Sequence, residues 1–99
     1  MYLVVIGGGT IGYELTKALL NAGHEVLLIE KDSKKAMDEA ETFGAVVLRG
    51  DGSEPSILEE AGVARADVFI ATTGSDEDNL AACQLVRHRF NVGRTIAIT

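Results

Sequence analysis

Apolar residues in this chain fall into short unbroken runs, separated by stretches in which they recur every three or four positions. The runs are Tyr2–Ile6, Val26–Ile29, Val46–Leu48, Val68–Ala71 and Thr95–Ile98. They are near-continuous rather than alternating, the pattern of strands covered on both faces, as in a parallel sheet. Four amphipathic stretches lie between them. The first, about residues 10–22, carries Ile11, Leu15, Ala18, Leu19 and Ala22 at helical spacing and stops at Gly23. The second has Ser33 as its expected N-cap, buries Ala36 or Met37, Ala40 and Phe43, and ends at Gly44. The third starts near Ser53, admits Pro55 in its first turn and closes at Gly62. The fourth runs from about Asp76 to Phe90, with Leu80, Cys83, Val86 or Arg87, and Phe90 near one face. Ser75 followed by Asp78 three residues on has the form of a capping box, with Asp in place of Glu.

Strands alternating with helices imply right-handed crossovers. The expected fold is therefore α/β, a Rossmann-like doubly wound parallel sheet of about five strands with helices on both faces. A six-stranded dinucleotide fold needs one more crossover and strand. Residues 1–99 are accordingly expected to be one nucleotide-binding domain, truncated before that last crossover, or else a sheet that stops at five strands. A chain of 99 residues leaves room for no second domain.

Composition narrows the function classes. The formal charge of −6 disfavours a nucleic-acid module, which needs a basic face, and docking on anionic lipid. A single cysteine, Cys83, cannot form an internal disulfide and suits a reducing compartment. The N-terminus lacks the pattern of a signal peptide. The apolar runs are far shorter than the roughly 18 residues of a membrane helix. A cytoplasmic location is expected.

Chemistry enters at residues 7–12, GGGTIG, which follow the first strand and open the first helix. That context gives an otherwise weak glycine pattern its meaning. Gly7 allows a tight turn out of the strand, Gly9 lets backbone approach a pyrophosphate, and Gly12 lets the helix pack closely. The helix N-terminus offers unpaired N–H groups and a positive dipole end to phosphates. Glu30, 18 residues after Gly12, ends the second strand. A carboxylate there accepts hydrogen bonds from a ribose diol and repels a 2′-phosphate, favouring NAD(H) over NADP(H). Lys31 beside it works against that preference. The bland alternatives are a turn without ligand and a solvated strand end.

Four stretches together carry a family resemblance: VVIGGGTIGYEL, AGHEVLLIEKD, RGDGSEPSILEEAGVARADVFIATT and GSDEDNLAACQLVRHRFNV. With them the chain resembles the N-terminal nucleotide-binding domain of the Trk/Ktr-type potassium-transport regulators, the RCK or KTN domains. The glycine loop and Glu30 fit any Rossmann domain, whereas RGDG and ADVFIATTGSDEDN are more specific to this family. The resemblance implies ligand contacts from Gly7, Gly9, Thr10, Ile11 and Gly12 in the loop, and from Glu30 and Lys31 after the second strand. It places Asp51 and Gly52 beside the adenine, and Thr72, Thr73 and Gly74 along the other half of the ligand. Asn79 would position a loop or a ligand hydroxyl. Asp51 as a turn-stabilising residue and Asn79 as a helix-surface residue remain open alternatives.

In one respect the chain departs from some relatives. Ktr-type ATP/ADP sensors carry arginine where this chain has Thr10, and that arginine meets a terminal phosphate. Thr10 has no charge, which favours NAD(H), with ATP, ADP or AMP as the alternative ligands. The resemblance further implies a potassium transporter or channel as membrane partner, and assembly as a homodimer or larger ring; the apolar face around Leu80–Phe90 is the candidate interface. No catalytic role is expected of any residue, because the chain supplies neither a substrate pocket nor an acid/base group for hydride transfer. The dehydrogenase cofactor domain and a binder of S-adenosylmethionine are the competing readings. The acidic trio Asp76, Glu77 and Asp78 suits a helix N-terminus and lacks a calcium-loop spacing, so no metal site is expected. His24 and His88 lack partners in sequence, and Cys83 reads as a small packing residue.

Overall fold

The computed structural model describes residues 1–7, 9–44 and 46–98. The elements alternate in chain order. They are β1 (Tyr2–Ile6), α1 (Thr10–Asn21), β2 (Glu25–Glu30), α2 (Ser33–Phe43), β3 (Val47–Arg49), α3 (Pro55–Glu60), β4 (Val68–Ala71), α4 (Asp76–Arg89) and β5 (Thr95–Ala97). A single 3-10 turn, Val63–Arg65, links α3 to β4. All strand pairings are parallel, and the strands lie in the order β3-β2-β1-β4-β5. This is the expected doubly wound sheet. The chain starts in the middle, winds outward to β3, and returns across β1 to β4. The turn of direction between β1 and β4 opens a crevice at the C-terminal strand ends, where such sheets hold ligands.

Alternation along the buried strands divides the core into two layers. Tyr2, Val4 and Ile6 of β1 join Phe69 of β4 against Leu58, Cys83 and Val86. Leu3 and Val5 join Val26, Leu28 and Ile70 against Leu15, Leu19 and Phe43. α1 and α2 therefore cover one face, α3 and α4 the other. The five residues of β1 are all buried, which explains the unbroken apolar run in the sequence.

Helix faces differ from the expectation in instructive places. In α1 the buried positions are Gly12 and Thr16, with Leu15 and Leu19 half-buried, while Ile11, Ala18 and Ala22 are exposed. The α2 cap is Asp32, not Ser33: its carboxylate accepts from the Lys35 amide at 2.8 Å. Ala36 and Glu39 turn inward there, and Met37 is 69% exposed. α3 begins at Pro55 rather than Ser53, whose hydroxyl and amide both donate to Asp51. The Ser75 cap of α4 is as expected, its hydroxyl accepting from the Asp78 amide at 3.2 Å. On α4 the inward positions are Asn79, Ala82, Cys83 and Val86, and Leu80 is 53% exposed. Most of the apolar face expected to form an assembly surface is thus spent on the chain's own core.

Candidate functional site

Four strand ends converge on one cleft of about 810 Å³. The turn after β1 supplies Gly7, Gly9, Thr10 and Ile11, and the end of β2 supplies Glu30 and Lys31. Asp51 and Gly52 follow β3, and Thr72, Thr73 and Gly74 follow β4. The structure therefore brings eleven of the thirteen expected contact residues to a single cavity, within the size range of small-molecule sites. Gly12 and Asn79 stand outside the lining and act on it from behind.

Gly7 leaves β1 with φ +97, a left-handed conformation that side chains rarely adopt. A Cβ there would also meet the Thr72 carbonyl carbon and the Thr73 nitrogen, each at 2.8 Å. Gly12 presses still closer: a Cβ would lie 1.9 Å from the Gly7 carbonyl oxygen. The Thr72 hydroxyl lies 3.0 Å from the carbonyls of both Ile6 and Gly7, latching the β4 end to the glycine turn. At Gly9, by contrast, a Cβ would meet nothing within 4 Å, so this residue borders open cleft.

The start of α1 carries no side-chain cap. Gly9 has none to offer, and no acidic residue stands in the first turn. The first intrahelical bond runs from the Tyr13 amide to the Gly9 carbonyl. The amides before it are the helix's free donors, at the positive end of its dipole. α2 and α4 differ, being closed by Asp32 and Ser75.

Glu30 faces the same cleft and is only 6% exposed. Its Oε2 accepts from the Asp32 amide at 2.9 Å, which fixes the side chain. Its Oε1 is buried without a hydrogen-bond partner. A buried carboxylate oxygen without a donor is a costly arrangement. Asp51 is differently engaged. Its Oδ1 accepts from the amide and hydroxyl of Ser53, and its Oδ2 lies 3.5 Å from the Lys31 ammonium. The Ser53 bonds, with help from Lys31, hold its carboxyl below the usual range. Asp51 thus stabilises its turn while lining the cleft, so the two alternatives for it are compatible.

Asn79 is fully buried rather than on the helix surface. Its Oδ1 accepts from the Thr73 amide and hydroxyl at 2.8 and 2.6 Å, and its Nδ2 donates to the carbonyls of Thr73 and Ile98. Its polar atoms are thereby occupied in holding the loop after β4. Several lining residues escaped the sequence reading, notably Lys35, Ser53 and Asp78. Lys35 and Asp78 sit in the first turns of α2 and α4, and helix starts in this topology point at the cleft; that rule was the available signal.

Comparison with known proteins agrees with this architecture. The family model described as the TrkA-N domain matches residues 3–99. A Trk system potassium uptake protein TrkA homolog from Methanothermobacter thermautotrophicus is 42% identical over 97 residues, covering 98% of this chain and 44% of that protein. The TrkA-N domain of the inner membrane protein ybaL from Escherichia coli superposes with a TM-score of 0.87 at 21% identity, covering 97% of this chain and 70% of that one. The Shewanella denitrificans Kef CTD in AMP bound form shares the fold at a TM-score of 0.76 and 17% identity, over 98% of this chain and 58% of that one. The chain spans less than half the length of the curated relatives it matches.

Proposed function

The chain belongs to the TrkA-N domain family, and from that membership we propose that it is the nucleotide-binding regulatory domain of a potassium transport system, with NAD(H) as ligand. One observation carries the ligand assignment. The Glu30 carboxylate and the uncapped start of α1 line one cleft, as a ribose diol joined to a pyrophosphate requires. In this reading the Glu30 carboxylate accepts from the ribose hydroxyls, and the amides at the start of α1 meet the pyrophosphate. The adenine lies along Asp51 and Gly52, and the remaining half of the ligand along Thr72, Thr73 and Gly74. Gly12 and Asn79 shape the two loops that make these contacts.

Thr10 is the first residue of α1 and brings a hydroxyl rather than a charge to the phosphate end. That supports NAD(H), whose pyrophosphate carries less charge than a triphosphate. Sensing of ATP, ADP or AMP is the second reading, and the ammonium groups of Lys31 and Lys35 in the cleft favour it. The bound nucleotide supplies charge and hydroxyl donors, and we read the site as holding it without reacting it.

Regulation follows if two conformations of the domain bind the ligand unequally, since a ligand shifts an equilibrium only by its differential affinity. A cytoplasmic domain would pass that shift to a membrane potassium transporter or channel, as a homodimer or ring. Potassium flux into vesicles holding the full assembly tests this. Flux is expected to change on adding NAD⁺ or NADH, and to lose that response with Glu30→Ala. Flux indifferent to every nucleotide that binds the domain would refute the regulatory role.

A further inference from the structure

Among the described residues, two charged side chains are buried: Glu30 at 6% exposure and Glu39 at 5%. Both have a buried Oε1 without a hydrogen-bond partner. Glu39 lies outside the main cleft and borders a smaller cavity of about 320 Å³ between α1 and α2. Gly9, Thr10 and Lys35 line both cavities, so the small one backs onto the end of the cleft where α1 begins. A carboxyl placed there is screened poorly and feels whatever charge sits at that end.

We propose that Glu39 couples nucleotide binding to proton uptake: an anionic ligand beside Gly9 and Thr10 keeps Glu39 protonated, and the neutral acid in turn favours the ligand. The coupling rests on the reading of the main cleft as a nucleotide site. The groups around Glu39 set its range. From β2 comes the Glu30 carboxylate; from α2 and its cap come Asp32, Lys35 and Asp38; from α1, Tyr13 borders the cavity. Burial, and next the charge of Glu30, push the Glu39 carboxyl up to about 7, with Lys35 pulling the other way and Asp32 and Asp38 adding to the rise.

The sign follows. Below about pH 7 Glu39 carries its proton and presents no charge to an incoming pyrophosphate. Above that value the empty domain has lost the proton, and binding must restore it against the solution. Affinity therefore falls as pH rises through neutrality, by at most about tenfold per pH unit. Lys35 sits where it answers both charges, since it lowers the Glu39 carboxyl and lines the main cleft.

Calorimetric titration of the chain with NAD⁺, whose pyrophosphate does not itself titrate near neutrality, tests the proposal. It is run across the neutral range in two buffers of different ionisation enthalpy, so that proton uptake is counted directly. Wild type is expected to lose about tenfold in affinity between about pH 6.5 and 8.5 and to take up a fraction of a proton per NAD⁺. Glu39→Gln, a neutral mimic of the acid, is expected to bind with near-constant affinity at the wild-type's low-pH level. NAD⁺ binding with no proton uptake, or a Glu39→Gln variant that keeps the wild-type slope, would overturn the coupling and leave the cleft assignment standing. Should Glu39→Gln fail to fold, the wild-type proton count decides alone. Absence of NAD⁺ binding at every pH would overturn both.

Discussion

Replacing Gly12 by alanine is expected to destabilise the fold by about 3 kcal/mol, the upper end for overpacking, and to abolish nucleotide binding. The reason lies in two atoms that have nowhere to go. The new Cβ would stand 1.9 Å from the Gly7 carbonyl oxygen and 2.7 Å from the Thr72 hydroxyl. Those two groups are already bonded to each other at 3.0 Å, and Gly7 is held in turn by its amide's bond to the Ile29 carbonyl. Relief requires the start of α1 to retreat from the glycine turn, which moves its free amides off the cleft. Gly9→Ala is the matched control, because its Cβ meets nothing within 4 Å and its φ of −67 suits any residue. Its stability cost stays within about 1 kcal/mol, the difference between glycine and alanine as an N-cap. Urea denaturation of the two variants reads the contrast. A Gly12→Ala domain as stable as wild type would mean that the packing between α1 and the turn is not what fixes this loop.

Replacing Glu30 by alanine is expected to weaken NAD(H) binding by about 100-fold, the loss of two hydrogen bonds to a charged acceptor at roughly 1.5 kcal/mol each. The fold should tolerate it. Among the described residues the Glu30 side chain takes one bond, from the Asp32 amide, while its Oε1 is an unpartnered buried oxygen. Glu30→Gln keeps an acceptor without the charge and is expected to fall between the two, at about tenfold. Titration of both variants against wild type checks this, and affinity unchanged in Glu30→Ala would remove the ribose contact from the account.

The strands were legible because parallel strands buried on both faces leave unbroken apolar runs, and β1 and β4 match their sequence runs residue for residue. The glycine turn and Glu30 were legible because each carries a backbone or charge requirement that spacing reveals. The helix faces were read less well, since hydrophobicity ranks Met37 and Leu80 as inward positions and the chain instead buries Glu39 and Asn79. Asn79 goes inward because the loop after β4 and the Ile98 carbonyl need its amide, a long-range demand that no local pattern shows. Ile11 stays exposed for the opposite reason: it stands at the helix start, on the cleft. Lys35 and the smaller cavity depend on how α1 and α2 meet, as in the contact of the Tyr13 and Phe43 rings at 5.0 Å, and only the folded chain brings them together.

The central claim is that this cleft holds a nucleotide through Glu30 and the start of α1. Titrating the purified chain with NAD⁺, NADH, ATP, ADP and AMP in turn, by calorimetry, tests it most directly. The account predicts saturable binding of one nucleotide per chain, tightest for NAD⁺ or NADH. No binding of any of the five at millimolar concentration would contradict it.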